Sequence, residues 1–515
     1  MHDLILRGGT VHDGLGGTAR HADVAVTDGH VAAIGTDLGT AHRVIDVPGM
    51  VVAPGFVDPH SHSDMVPLMA EPQPFKLLQG VTTEIAGNCG FSFAPLDGAG
   101  ADHARDLLQD IAAGQAVRAR DFAGYLAELD AAGPTNNIAV LVGHNTLRLA
   151  VAGMAPELRP GDLARMEALA ADAFEAGAVG LSSGLIYPPG CYAPTDELVA
   201  LARVAHAYGR PYATHIRNED RSLRAALDEA VSIARQARVR LQVSHCKAAG
   251  RAQHGSASML LSVLRAARQE GVDVRGDAYP YLAGGTFLAA LLPHEAHAGG
   301  TDPLRARLSD PAGRAALHAA ATDPDGTGLW REVEPGDVLV TSHATDPRAI
   351  GRTLAQLGGD AWHTACDLIL ADPSAGMVIT MMAEADVRTI LADPLVAIGS
   401  DNGMPYGLQH PRTWGCFPEF LGRYVRELGV VGLPEAVRKL TSAAADQFGL
   451  TGRGWLGRGA VADITVFDPA TVAHGGSYLR PDVPPTGIGY VLLSGRVVVD
   501  GGTFTGVRAG RVLRA

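Results

Sequence analysis

The pattern of apolar and polar residues divides the chain into two β-rich ends and a long middle part. Short apolar runs predict strands at residues 4–12, 23–35, 44–47, 462–468 and 491–501. Within the second run, Asp28-Gly29 is a strong signal for a hairpin turn. The C-terminal run resembles residues 4–14 in sequence. The two ends therefore either pair into one small domain, with the termini close together, or form two unrelated hairpins.

The middle part alternates between helical and extended patterns, with a repeat of about 30 residues. Apolar residues at helical spacing predict helices at 162–176, 196–208, 222–236 and 257–270. Each helix is followed by a run that predicts a strand, at 179–183, 211–215, 241–245 and 272–279. Four successive units of this kind predict a parallel sheet with helical crossovers. Closure into a barrel is favoured because enough chain remains for it, and a doubly wound open sheet is the alternative.

Turn-prone residues interrupt the alternation between 283 and 335. The interruption contains Gly284-Gly285, Gly299-Gly300 and Asp323-Pro324-Asp325-Gly326, and it predicts an inserted subdomain or lid. The alternation is expected to resume at 338–343, and a further strand is predicted at 396–401.

Composition narrows the class of protein. The 515 residues carry a net charge of −13 without a basic block, which argues against a nucleic-acid partner. No apolar run reaches the ~18 residues of a membrane span, and the N-terminal residues lack the pattern of a signal peptide, so we expect a cytoplasmic protein without a membrane partner. Five scattered cysteines do not form a disulfide framework in such a protein.

Candidate metal ligands occur where predicted strands end. His60 and His62 are separated by one residue, so in an extended segment both imidazoles point to the same face and can chelate a divalent metal. His215, His245 and Asp401 also end predicted strands. In a parallel barrel these ends share one face, which holds the active site. The alternative for each histidine alone is a structural role, but five such residues at strand ends favour a metal site.

The three lysines of the chain bear on the type of metal site. Some two-metal barrel hydrolases bridge their ions with a carboxylated lysine at a strand end, and none of Lys76, Lys247 and Lys439 is well placed for that role. Cys89 is better placed, in a glycine-flanked turn that follows a predicted strand. A thiolate binds zinc strongly, and the alternative is a buried free cysteine.

These segments resemble the N-acyl-D-amino-acid deacylases of the amidohydrolase superfamily. The resemblance keeps the family's order along nearly the whole chain, in residues 55–64, 80–90, 143–144, 182–185, 214–217, 244–247, 277–281, 399–401, 410–412 and 458–463. It implies an α/β fold: a (β/α)₈ TIM-like barrel with a small β-sandwich domain formed by both termini and an inserted subdomain. The corresponding boundaries are 1–54 and 456–515 for the sandwich, 55–455 for the barrel and about 283–335 for the insertion.

The resemblance also implies a role for each site residue. Cys89, His215 and His245 would hold a tight Zn²⁺, and His60 and His62 would share Cys89 in a weaker second site. By the same resemblance, Asp401 would be the general base and a possible metal ligand. Lys247, Tyr279 and Arg412 would hold the α-carboxylate of the substrate.

The expected reaction is zinc-dependent hydrolysis of the amide bond of a small-molecule N-acyl-D-amino acid. The stretch 282–292 contains no basic residue, which favours neutral or hydrophobic side chains if it lines the side-chain pocket. One alternative is a cyclic-amide hydrolase of the hydantoinase or dihydroorotase type, and another is a non-catalytic scaffold protein with the same fold. Helices outside the barrel leave a homo-oligomer open.

Overall fold

The structure is a computed structural model that describes residues 1–96 and 118–515. Within these residues, no helix is both long and apolar enough to cross a membrane.

One mixed sheet joins the two ends of the chain. Its strands are β1 His2–Val11, β2 Arg20–Thr27, β3 His30–Gly35, β4 Ala41–Asp46, β5 Val51–Pro54, β18 Ile464–Phe467, β19 Ile488–Leu493, β20 Arg496–Asp500 and β21 Thr503–Phe504. The two ends meet where β5 pairs antiparallel with β18, with Val52 opposite Val466. Asp28 and Gly29, with φ of 50° and 75°, form the predicted turn between β2 and β3.

A second set of strands is parallel and carries the ligand candidates. These strands are β6 Phe56–Asp58, β7 Val81–Ala86, β8 Asn137–Val140, β9 Val142–Gly143, β10 Leu181–Gly184, β11 Tyr212–His215, β12 Leu241–Val243, β13 Val274–Ala278 and β17 Val396–Ile398. They form two sheets, in the orders β6-β7-β8-β22 and β9-β10-β11-β12-β13-β17. The last strand of the chain, β22 Val512–Leu513, pairs with β8 and not with the sheet of the two ends.

Helices connect these strands, and the last four of the six lie where the apolar periodicity predicts them, within one residue at each end. The helices of this part are α1 Phe122–Ala132, α2 His144–Ala152, α3 Asp162–Ala176, α4 Thr195–Ala207, α5 Leu223–Ala237 and α6 Ala257–Gln269. Helix α3 has the predicted bounds and ends at Gly177, whose φ of 112° lets its backbone N–H cap the last turn. The helices bury apolar side chains in the same core as the strands, and this packing holds the strands in place.

Two of the parallel strands meet next to the candidate site. Asp401 N donates to His60 O at 2.8 Å, and His62 N donates to Asn402 O at 3.0 Å. Ser61 and Asn402 form a parallel bridge. The segments that follow β6 and β17 are therefore locked together, although more than 330 residues separate them in sequence.

A separate antiparallel sheet lies beside the barrel strands. It contains β14 Ala283–Phe287, β16 Gly376–Thr380 and β15 Val338–Ser342, in that order. The expectation that the barrel pattern resumes at Val338 is wrong, because β15 pairs antiparallel with β16. A short apolar run predicts a strand but not its partner, since pairing is decided by the tertiary fold.

The helices of this inserted part and of the last third of the chain complete the fold. They are α7 Thr301–Ser309, α8 Pro311–Thr322, α9 Leu354–Leu357, α10 Ala361–Ala371, α11 Glu384–Ala392, α12 Arg412–Glu419, α13 Leu433–Leu440 and α14 Ser442–Phe448. A π-helical segment, Phe420–Glu427, continues α12.

Candidate metal centre

The strand ends bring all nine predicted site residues to one place. His60 and His62 follow β6, Cys89 follows β7, His215 is the last residue of β11, and His245 follows β12. The remaining four are Lys247 after β12, Tyr279 after β13, Asp401 after β17 and Arg412 at the start of α12. Parallel strands place their carboxyl ends on one face, which explains how residues from distant parts of the chain converge.

Cys89 lies at the centre of the imidazole cluster. Its Sγ is 3.3 Å from Nε2 of His60 and 3.5 Å from Nε2 of His245. Burial alone would raise the pKa of this thiol, but the imidazoles of His60 and His245 outweigh burial and hold the pKa well below its usual range. A thiolate is the form of cysteine that binds metal.

Asp401 faces both the imidazoles and a guanidinium. Its Oδ1 is 3.4 Å from Nε2 of His60 and 3.2 Å from Nε2 of His62, and its Oδ2 is 2.9 Å from Nη1 of Arg412. Burial would raise the pKa of this carboxyl group, but Arg412 and the imidazoles of His245 and His60 hold it well below its usual range. The carboxylate is therefore ionised and able to accept a proton or a metal ion.

His215 is buried with both ring nitrogens free of hydrogen-bond partners within residues 1–96 and 118–515. Its ring is only 4.3 Å, centroid to centroid, from the ring of His245, and it contributes to the lowered pKa of Cys89. A buried imidazole without a partner is costly in a protein interior, and a metal ion is a partner that removes this cost.

Glu219 is a site residue that the sequence analysis missed. Its Oε1 lies 2.9 Å from Nδ1 of His245 and 2.7 Å from Nζ of Lys247, and its Oε2 lies 3.5 Å from Nε2 of His215. Nδ1 of His245 also lies 2.7 Å from Nζ of Lys247, so a carboxylate and an ammonium both contact the ring nitrogen that faces away from Cys89. A carboxylate in this position orients a metal-binding histidine. An acidic residue shortly after a strand-ending histidine is the sequence feature that could have identified it.

Three site residues have a left-handed backbone conformation. The φ angles are 52° at Cys89, 33° at His245 and 48° at Asp401. Residues other than glycine rarely adopt this conformation, which costs of order 1–3 kcal/mol at each position. Strain of this kind persists where surrounding structure enforces it, and here it turns the side chains toward a common point.

The three residues expected to hold a carboxylate also lie together. The Cζ atom of Arg412 is 4.5 Å from the centre of the Tyr279 ring, and Nζ of Lys247 is 5.7 Å from it. Each cation has an acidic neighbour, since Lys247 contacts Glu219 and Arg412 contacts Asp401. The two positive charges are thus held in place before a substrate arrives.

A buried polar network joins the two strand ends that carry His60 and Asp401. Lys76 contacts the carboxylate of Asp58, and it donates to Ser400 Oγ at 3.0 Å and to Asn402 Oδ1 at 2.7 Å. Its ammonium group is therefore part of this network and does not bridge metal ions. Asp58 Oδ1 accepts from the backbone N–H of His60 at 3.1 Å and of Ser400 at 2.9 Å. This network ties the end of β6 to the end of β17.

The residues present fit a zinc ion. Two overlapping groups of side chains have ligand atoms within 4.8 Å of one another. The first group is His60, Cys89, His245 and Asp401, and the second, which shares His245, is His215, Glu219 and His245. Thiolate and imidazole are the ligands that zinc prefers, and the carboxylates add oxygen donors.

Comparisons with known proteins agree with this geometry. The family model described as amidohydrolase family matches residues 43–499. The chain belongs to the amidohydrolase family. Within the amidohydrolases, this chain is 38% identical over 518 residues to the D-aminoacylase of Alcaligenes xylosoxydans xylosoxydans, across 99% of this chain and 97% of that protein.

Two solved structures of amidohydrolases are similar over the full length. A D-aminoacylase described as having a binuclear metal centre, with activation by one metal and attenuation by the second, is 37% identical with a TM-score of 0.87. The N-acyl-D-glutamate deacylase of Bordetella bronchiseptica, in complex with zinc and a phosphonate inhibitor, is 35% identical with a TM-score of 0.85. Each match covers 100% of both chains. The predicted fold class and the resemblance to the deacylases are therefore confirmed, whereas the domain boundaries and the individual residue roles stay predictions.

Proposed function

We propose that this amidohydrolase is a zinc-dependent deacylase that hydrolyses the amide bond of N-acyl-D-amino acids. The observation that carries the proposal is the buried cluster of a thiolate and imidazoles, in which Cys89 lies between His60 and His245 and the ring of His215 lies 4.3 Å, centroid to centroid, from that of His245. The similarity to D-aminoacylase and to N-acyl-D-glutamate deacylase supports this substrate class.

Two groups of residues would hold metal. Cys89, His215 and His245 would bind the tight zinc ion, with Glu219 orienting His245. His60 and His62 would share Cys89 in a weaker second site, for which His62 is the most exposed member, with 27% of its side chain accessible. When bound, zinc supplies a Lewis acid toward the amide carbonyl and lowers the pKa of water to about 7.

Asp401 is the proposed general base. Its carboxylate is ionised and lies at the mouth of the imidazole cluster, where it accepts a proton from the attacking water. The same carboxyl group then donates that proton to the leaving amine nitrogen. The contact with Arg412 Nη1 at 2.9 Å fixes the orientation of the carboxylate between these two proton transfers.

Lys247, Tyr279 and Arg412 would bind the α-carboxylate of the substrate. A guanidinium and an ammonium that both lie near one phenol ring offer charged donors to the same anion. Because these cations are buried, the attraction is screened less than it would be at the surface.

The amino-acid side chain is proposed to be neutral or hydrophobic. The cavity beside Lys247 and Tyr279 is lined by Gly284 and Gly285, as the sequence suggests, but also by two arginines. Both arginines already have acidic partners: Arg217 contacts Glu229 at 2.9 Å, and Arg331 contacts Glu332 at 3.1 Å. Glu332 also contacts Arg221 at 2.6 Å, so two arginines share this one carboxylate. The proposed preference for neutral side chains therefore rests on the stretch 282–292, which contains no basic residue.

The competing interpretations lack such support. A cyclic-amide hydrolase with two bridged metals would need a lysine between the imidazoles, whereas Nζ of Lys247 lies against Glu219. A non-catalytic scaffold would have no need for an ionised Asp401 and a strained backbone at three site residues. A cytoplasmic location and a homo-oligomer stay predictions.

The test is amine release by zinc-loaded protein from matched N-acetyl-D- and N-acetyl-L-amino acids. We expect cleavage of D-substrates alone, with neutral side chains preferred. Cleavage of neither series by protein with bound zinc would contradict the proposal and favour a cyclic amide or another acyl substrate.

A further inference from the structure

Two cavities open onto the metal centre from different sides. The first is lined by His215, His245, Lys247 and Tyr279 and has a volume of about 420 Å³. The second is lined by His62 and Cys89 and has a volume of about 510 Å³. Asp401 lines both cavities. An extended substrate with its scissile carbonyl at the metal would therefore occupy both.

The arrangement of charges decides which half of the substrate lies in which cavity. An N-acyl amino acid carries its carboxylate on the amine side of the scissile bond. Of the three residues proposed to hold that carboxylate, Lys247 and Tyr279 line the first cavity, whereas Arg412 lines the second, where its Nη1 contacts the shared Asp401. We therefore place the carboxylate beside the Tyr279 ring, which both cations approach. The acyl group leaves the carbonyl in the opposite direction, along His62 and Cys89, and so enters the second cavity, which we call the acyl cleft.

Several large apolar side chains line the acyl cleft. The apolar side chains belong to Phe91, Phe287, Met377, Met404 and Tyr406. A cavity of this volume is in the range that holds a drug-sized ligand, and an acetyl group fills only a small part of it.

The polar side chains on the far wall of the acyl cleft have partners within the protein. His343 Nδ1 accepts from the backbone N–H of Asp346 at 2.9 Å, and its Nε2 donates to Leu368 O at 3.1 Å. Asp372 accepts from the hydroxyl of Ser374 at 2.6 Å and from Ala344 N at 2.6 Å. His343 and Asp372 are therefore committed to the fold, and the guanidinium of Arg412, which also lines the acyl cleft, contacts Asp401 at 2.9 Å.

We propose that the acyl cleft binds an unbranched acyl chain of about six carbons or more, so that the substrates are N-acyl-D-amino acids with acyl groups longer than acetyl. This inference rests on the proposed function and adds the acyl class to it. A fully buried methylene favours binding about fourfold, and an open cleft that buries about two fifths of it favours binding about 1.8-fold. The four methylenes that separate hexanoyl from acetyl then predict a rise in kcat/KM of roughly tenfold.

The test is a series of acetyl, butyryl, hexanoyl and octanoyl amides of one D-amino acid, D-leucine, with zinc-loaded wild-type protein and two variants. Ala344 is exposed on the wall of the acyl cleft, so Ala344→Trp should obstruct the cleft without disturbing the core. Ala319 is exposed on α8, outside the cavities described here, and Ala319→Trp is the matched control. Tyr406→Asp is a second variant, which places a charge at the rim of the cleft.

We expect wild type and Ala319→Trp to show the tenfold rise, and Ala344→Trp and Tyr406→Asp to show less than a twofold rise. Cleavage of acetyl-D-leucine with no dependence on chain length would overturn the inference alone. So would a chain-length dependence that survives in both cleft variants. Cleavage of no D-substrate of any length would overturn the proposed function, and the inference with it.

Discussion

The carboxylate of Glu219 lies 2.9 Å from Nδ1 of His245, on the side of the ring opposite Cys89. A carboxylate in this position fixes the tautomer of a metal-binding histidine and makes the imidazole more basic. Burial would raise the pKa of Glu219, but Lys247 and the imidazoles of His215 and His245 hold it far below its usual range, so the group is ionised. Glu219 thus contacts three other residues at the ends of the adjacent strands β11 and β12, which are His215, His245 and Lys247.

We predict that Glu219→Gln weakens zinc binding about 10- to 100-fold, because glutamine still accepts a hydrogen bond but carries no charge. Competition titration with a chelator of known affinity measures this change. Glu175→Gln, at an exposed helical position, is the control and should bind zinc as wild type does. Equal zinc affinity in the two variants would remove Glu219 from the metal site.

Cys89→Ala should lose most of the tight zinc, because the thiolate is the one ligand shared by both proposed metal positions. Zinc content after gel filtration, measured by atomic absorption, tests this expectation. Cys366 is also buried and belongs to α10, so Cys366→Ala is a matched control that should retain zinc. Full retention of zinc by Cys89→Ala would show that the imidazoles suffice.

Asp401→Asn should abolish proton transfer while keeping the shape of the site. Removal of a general base lowers kcat by about 10² to 10⁴, and the tight zinc ion should remain bound. Steady-state kinetics and zinc content, measured on the same preparation, separate these two effects. A variant with more than a tenth of the wild-type kcat would contradict the assignment of Asp401 as the general base.

Lys76→Met should destabilise the protein by about 3 to 5 kcal/mol, because it leaves the buried carboxylate of Asp58 without its cation. Lys439 offers a contrast, since this buried lysine donates to two backbone carbonyls, of Asp393 and Val396. Lys439→Met removes an ammonium that has no close carboxylate contact among residues 1–96 and 118–515, and it should cost less than about 2 kcal/mol at pH 7. Chemical denaturation of both variants gives the comparison, and equal losses would contradict it.

Lys439 also predicts a pH dependence of stability. Burial lowers the pKa of its ammonium group from 10.5 to about 8. Below pH 8 both the folded and unfolded states are protonated, so the cost of burying the charge is fully present. Between pH 8 and 10.5 the unfolded state binds more protons, so stability rises with pH, by about 3 kcal/mol in total. Wild type should gain this amount relative to Lys439→Met over that range in urea unfolding, and a constant difference would disprove the assignment.

The boundaries of many elements follow from the sequence alone. The helix predicted at 162–176 and the turn at Asp28-Gly29 occur where the pattern places them, because helical periodicity and turn chemistry are local properties. The segment predicted at 338–343 also contains a strand, Val338–Ser342, but the pattern does not say that its partner is the antiparallel Gly376–Thr380. Pairing depends on residues far away in sequence, which a local pattern does not contain.

The same division applies to the candidate site. The sequence by itself determined the metal chemistry, since strand-ending histidines, a cysteine in a glycine-flanked turn and the family's motifs identified the ligand types and their order. Only the tertiary structure decided that Glu219 orients His245, that Lys76 ties β6 to β17, and that two cavities meet at Asp401. The physical reason is that ligand identity is a property of each side chain, whereas support, strain and cavity shape arise from distances between segments that only the folded chain brings together.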